Sequence, residues 1–114
     1  MPGFQTCASI GIQMVKENCV FIVSLTYKCE LSEIDTYLND HVEYLDRQYA
    51  AGVFLASGRK VPRTGGVILA RADSRQQLEQ ILAEDPFSVH NLAEYDVIEF
   101  VPSKTSKELE FLCQ

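Results

Sequence analysis

The sequence predicts an α+β domain built on an antiparallel sheet, in the order strand, helix, strand, strand, helix, strand. Short apolar runs rich in β-branched and aromatic residues recur along the chain, at CVFIVSLTYK, VFLAS, GVILARA and YDVIEFV. Stretches with helical periodicity separate the first run from the second and the third from the fourth. The second and third runs are joined by GRKVPRTGG, a polar connection with a proline and a terminal glycine pair.

Each element has its own local signals. The first strand is expected over Cys19 to Lys28. Ser32 then offers a helix cap, with Glu33 and Asp35 in the positive first turn. Ile34, Leu38, His41, Leu45 and Tyr49 recur at steps of four and three and form one stripe of a single helix, which Gly52 is placed to end. Strands follow over Val53 to Ser57 and Gly66 to Ala72. Asp73 or Ser74 caps a second helix carrying Leu78, Ile81 and Leu82, which Asp85-Pro86 breaks. The last strand is expected over Tyr95 to Val101, closed by Pro102. The chain thus divides into an N-terminal extension (1–18), a domain (19–102) and a charged tail (103–114) with helical spacing at Leu109 and Leu112.

This order is the split βαβ, ferredoxin-like arrangement βαββαβ, with both helices on one face of the sheet. A free sheet face normally alternates apolar and polar residues, but these strands are apolar on both sides. Phe21, Val23 and Leu25 oppose Val20 and Ile22; Val67 and Leu69 oppose Ile68 and Ala70; Val97 and Val101 oppose Ile98 and Phe100. A second subunit on the open face resolves this, at about 25 cal/mol per Å² of apolar area removed from water. A homodimer through the open sheet face is therefore expected, with Val23 or Phe100 at the contact.

Composition narrows the function. At 114 residues there is room for one domain, and 46% hydrophobic residues suffice for a core. A net charge of −6 argues against binding to a nucleic-acid backbone. No segment approaches the roughly 20 apolar residues needed to span a bilayer. Cys7, Cys19, Cys29 and Cys113 have no CxxC spacing and no neighbouring histidine at ligand spacing, which argues against zinc or a dithiol redox pair. Residues 1–18 have no basic n-region of a signal peptide. The cysteines are expected as reduced thiols of a cytoplasmic protein.

Few residues are left to carry chemistry. His41 stands on the apolar stripe where a leucine would otherwise serve. It is either a core histidine bound to a carbonyl or a general base. Asp85 ends the second helix in EDPF, where a carboxylate opposes the negative end of the helix dipole. It is either a turn residue before proline or, with the two helices side by side, the partner that orients His41. Arg59, Lys60, Arg63, Arg71 and Arg75 make a local positive zone in an acidic chain. Most read as solvated side chains, and Arg63, beside TGG, is the one best placed to meet a small anion. Tyr37, Tyr44 and Tyr49 read first as packing and second as pocket walls. His90 falls in a polar connection.

With these residues in view, the chain resembles the YCII-related (YciI-like) family. The matching pieces are DHVEYL around His41, LASG at Ser57, VPRTGGVILA, ADSR, DPF at Asp85 and LAEY, spread over residues 20–102. The resemblance implies a dimeric α+β barrel and a His–Asp active centre, His41 and Asp85, with Ser57 at the pocket end of the second strand. The activity known within the family is elimination of a halide from a small aromatic-type substrate. The chain departs from the family pattern at Arg59, where a proline is usual, leaving the hairpin less rigid. It departs again at SVHNL after DPF, a bulkier stretch that either narrows the pocket or brings His90 towards it. Residues 1–18 have no counterpart in the core family, so either Met14 is the natural start or the leader adds an edge strand.

Two functions are carried forward. The first is a cofactor-free lyase or isomerase acting by proton transfer on a small, enolisable or anionic organic molecule. His41 is its base, Asp85 orients the base, and Ser57 or Arg63 binds substrate oxygens; no metal is required. The alternative is a non-catalytic dimeric module that binds a small molecule or a protein partner in the same cleft.

Overall fold

The computed structural model describes residues 19–113. The expectations for the leader, including Met14, an edge strand and Cys7, lie outside these residues. Strand β1 (Cys19–Tyr27) leads into helices α1 (Leu31–Thr36) and α2 (Leu38–Ala50). Strands β2 (Phe54–Arg59) and β3 (Gly65–Ala72) form a hairpin. Helices α3 (Arg75–Leu82) and α4 (Pro86–Val89), strand β4 (Ala93–Phe100) and a 3-10 segment over Lys107–Cys113 complete the chain. The sheet is antiparallel in the order β2-β3-β1-β4, with β1 central between β3 and β4. The expected α+β architecture holds, with both helical layers on one face.

That face is set by strand alternation. Phe21, Val23 and Leu25 of β1 and Ile68, Ala70 and Ala72 of β3 join Ile34, Tyr44, Leu78 and Leu82 of the helices in one buried core. Val23 therefore lies in the core of the single subunit, which corrects its expected place at a subunit contact. The other face is apolar only in part, since Ser24, Asp96, Glu94 and Arg71 share it with the apolar residues the pattern marked. Ile98, Ile22 and Leu69 stand in one row across β4, β1 and β3, with Ile98 58% and Ile22 37% exposed. Val20, one row along, pairs with Arg71 and Phe100 and is fully buried. The Arg71 guanidinium lies 5.5 Å from the centre of the Phe111 ring, so the C-terminal segment folds against this end of the face.

Local chemistry explains the boundaries. Gly52 takes φ +80° and its N–H closes on Tyr49 O at 3.0 Å, ending α2 as expected. Ser74 caps α3 by accepting from the Gln77 N–H at 3.0 Å. Three expectations need correction. The first helix is two helices, because the backbone leaves helical geometry at Tyr37 (φ −106°, ψ 9°). Its N-cap is Glu30 rather than Ser32, with no side-chain cap bond. Its stripe is not the core face: Ile34 is buried but Leu38, His41 and Leu45 are half-buried, and Tyr44 is the fully buried residue of α2. The stripe is a cleft wall, which is why an amphipathic pattern includes a histidine.

Candidate active site

Helix α4 was not expected, and it reverses the reading of Asp85. Pro86 occupies the first helical turn, where its missing N–H is no loss. Asp85 is the N-cap, its Oδ1 accepting from the Phe87 N–H at 3.0 Å. The carboxylate thus sits at the favourable end of α4 rather than only against the dipole of α3. It is fully buried and satisfied on both oxygens. Oδ1 also meets Nδ1 of His41 at 2.8 Å, and the Tyr95 hydroxyl donates to Oδ2 at 2.6 Å.

His41 is fixed from three directions. Helix α2 carries it beside the α3–α4 junction, Asp85 binds one ring nitrogen, and the Phe87 ring stacks on it with centroids 4.0 Å apart. Its side chain is 12% exposed against 0% for Asp85. With the proton on Nδ1, directed at the carboxylate, Nε2 is the lone-pair nitrogen. No described residue hydrogen-bonds Nε2. The supporting phenols are held neutral: burial first, then the Asp85 charge, raises both Tyr95 and Tyr44 above the ordinary tyrosine range. Tyr44 spends its proton on Ile81 O at 2.8 Å.

His41 opens onto a cleft of about 400 Å³. One wall is the α1–α2 stripe through Leu38 and Leu45, the other is the β2–β3 hairpin, and Leu25, Ile68 and Phe87 supply apolar floor. Gly65 brings hairpin and β1 together, since a Cβ there would lie 1.8 Å from Leu25 O. Two polar ties span the cleft. Arg63 bonds Asp35 of α1 at 2.7 Å, and Ser57 Oγ lies 2.6 Å from the Tyr49 hydroxyl of α2. His41, Ser57 and Arg63 all line this cleft, and Asp85 stands behind the imidazole.

The structure also separates what the sequence left together. His90 is not a cleft residue; it stacks on Tyr37 at 4.0 Å. None of Tyr37, Tyr44 and Tyr49 is a direct pocket wall. Arg63 carries an ion pair that sequence alone did not show. Tyr95 was missed as a site residue, although a phenol two places from Val97, on the buried face of β4, has to find a hydrogen-bond partner. Among the described residues, no group of three or more His, Cys, Asp or Glu side chains is placed to hold a metal ion.

The family model of the YCII-related domain matches residues 20–101. The chain belongs to the YCII-related family. Among solved structures, this YCII-related domain is similar to 5-chloro-2-hydroxyhydroquinone dehydrochlorinase from Burkholderia phenoliruptrix AC1100, in complex with 2,5-dihydroxybenzoquinone. That likeness has a TM-score of 0.63 and 18% identity, and covers 78% of this chain and 97% of that one. It is also similar to SnoaB, a cofactor-independent oxygenase from Streptomyces nogalater, with a TM-score of 0.48 and 15% identity over 79% of this chain and 97% of that one. No curated protein matches the chain. The first likeness agrees with the fold described above, and no helix among the described residues is long and apolar enough to cross a membrane.

Proposed function

We propose that this YCII-related domain is a cofactor-free enzyme of lyase or isomerase type, acting on a small organic molecule by proton transfer. The observation that carries the reading is His41 on a cleft wall, its Nδ1 on a buried carboxylate and its Nε2 unused by any described residue. Nε2 takes a proton from substrate, and the Asp85 charge stabilises the imidazolium that forms. The electron pair left on the substrate shifts into a new double bond. In an isomerase the imidazolium returns the proton at another atom; in a lyase a leaving group departs with its electrons. Of Ser57 and Arg63, Ser57 is the proposed contact for a substrate oxygen, since Arg63 is held by Asp35; Tyr95 holds Asp85 in place, and every group the step needs is a side chain of this chain. Dehydrochlorination, the activity of the similar Burkholderia protein, belongs to the lyase class.

The proposed assembly is a homodimer that covers the Ile98–Ile22–Leu69 row, the compartment the cytoplasm. The disulfide-free thiols Cys29 and Cys113 fit a reducing environment. The enzyme reading is tested by following solvent deuterium exchange and elimination across enolisable and halogenated small rings. His41→Gln is expected to lower turnover of any substrate found by about 10²–10⁴-fold while leaving binding nearly unchanged. Ligands that bind with no turnover in wild type, and equally well in His41→Gln, would instead make the cleft a binding module.

A further inference from the structure

The charged side chains that line the cleft are Asp35, Arg59 and Arg63. Asp35 and Arg63 neutralise each other across one end at 2.7 Å. The Asp85 charge, behind the imidazole, is met by His41, Tyr95 and the Phe87 N–H. Arg59 is different. It makes no side-chain hydrogen bond or ion pair with any described residue, in a chain with a surplus of carboxylates and a net charge of −6. It ends β2, two residues beyond Ser57, so both side chains leave the same face of the strand. Both line the cleft.

Ser57 adds a directed donor. Its Oγ and the Tyr49 hydroxyl are 2.6 Å apart. When Tyr49 donates, the Ser57 hydroxyl proton is free to point at a ligand oxygen, polarised by the bond it accepts. The remaining lining is largely aliphatic, with Leu25, Leu38, Leu45 and Ile68 in the wall and floor. About 400 Å³ lies towards the small end of the ~300–1,000 Å³ range of ligand pockets. One uncommitted guanidinium beside one hydroxyl suits a single negative charge on an apolar body, and a doubly charged phosphate would call for further donors.

We infer that the cleft takes a small organic carboxylate, with Arg59 and Ser57 holding its charged end and Arg63 serving as a tie between hairpin and helix. The inference rests on the cleft being a small-molecule site, as proposed above, but not on His41 acting as a base. Arg59 is then the specificity-determining residue for charge.

The test is a calorimetric and NMR titration with sodium benzoate and its neutral counterpart benzamide. Wild type is expected to bind benzoate about tenfold or more tightly than benzamide, as a charge-assisted bond supplies. Arg59→Gln removes that preference and Arg59→Lys restores part of it. Arg63→Gln keeps it within about threefold, because that guanidinium is committed to Asp35. Arg59 is exposed, so its variants are expected to fold, which their amide spectra check. Equal affinity for the two probes, no benzoate binding at 20 mM (an upper limit of about 2–3 kcal/mol), or a preference lost in Arg63→Gln and kept in Arg59→Gln overturns the inference. Turnover by wild type separates the two readings. Benzoate preference in a wild type that turns over none of the screened substrates retires proton transfer alone, whereas wild-type turnover of neutral substrates with no anion preference retires the carboxylate site alone.

Discussion

His41 lies flat against Phe87, their planes 6° from parallel, and the Phe87 backbone N–H and His41 Nδ1 meet the same oxygen, Asp85 Oδ1, at 3.0 and 2.8 Å. Phe87 therefore positions the imidazole twice, once through its ring and once through the carboxylate its N–H anchors. Its ring is also core, so Phe87→Ala is expected to cost about 3–5 kcal/mol, measured by urea unfolding. Phe87→Leu keeps the backbone anchor and loses the flat surface, and is expected to cost less. A Phe87→Ala cost under about 1 kcal/mol would mean that the ring does not support the site.

Tyr95→Phe removes the donor to Asp85 Oδ2 and leaves a buried carboxylate oxygen unpaired. The expected loss is about 1.5–3 kcal/mol near neutral pH, the range for hydrogen bonds to charged groups. Tyr95→Phe should also lower turnover on any substrate that His41 serves, through loss of imidazole alignment. A variant as stable as wild type would contradict the bond.

The same phenols set an alkaline limit. Burial and the Asp85 charge raise Tyr95 and Tyr44 in the folded protein, whereas unfolded tyrosines ionise near pH 10. Above about pH 10 the native state holds protons that the unfolded state has released. Their contribution is thus fully present below about pH 10 and is lost as pH rises towards the folded values. Tyr95→Phe should start less stable and then lose less stability between about pH 10 and 11.5. Parallel falls in the two proteins would contradict this assignment.

The sequence makes the βαββαβ order legible because strand and helix periods alternate cleanly, and Gly52 and Ser74 mark their helix ends by local chemistry alone. The site was legible only in part. His41 stood out as a polar residue on an apolar stripe, but its distance from Asp85, 44 positions away, depends on how two helices lie on the sheet. Asp85-Pro86 reads as a helix stop when it is also a helix start, since proline suits a first turn as well as an ending. The break at Tyr37 has no glycine or proline to announce it. The Arg63–Asp35 and Tyr49–Ser57 ties are side-chain meetings across a cleft, invisible to any local pattern.

Gly65 is required by close approach and not by turn geometry. Gly65→Ala would force a methyl group into the Leu25 carbonyl, 1.8 Å from an ideal Cβ. The hairpin must move off β1, and a loss of about 3 kcal/mol or more is expected from this overpacking. Gly58, whose Cβ would meet nothing within 4 Å, is the control. Equal tolerance at the two positions would contradict the close packing of β1 and β3.

The proposed dimer is tested on the open face. Ile98→Asp is expected to halve the sedimenting mass with the fold intact, because Ile98 is 58% exposed in the single subunit. Val23→Asp should unfold the chain, since Val23 is fully buried in the core. A wild-type monomer at high micromolar concentration would leave the row uncovered and end the dimer proposal.

The most direct test of the His41 assignment is the tautomer of its neutral ring, read from imidazole ¹⁵N shifts with His90→Asn supplying the assignment. The pairing with Asp85 predicts that the neutral form carries its proton on Nδ1 and a bare lone pair on Nε2, and a mixed pattern once Asp85→Asn removes the charge. A proton found on Nε2 in wild type would contradict it, for the cleft-side nitrogen would then have no lone pair with which to take a proton.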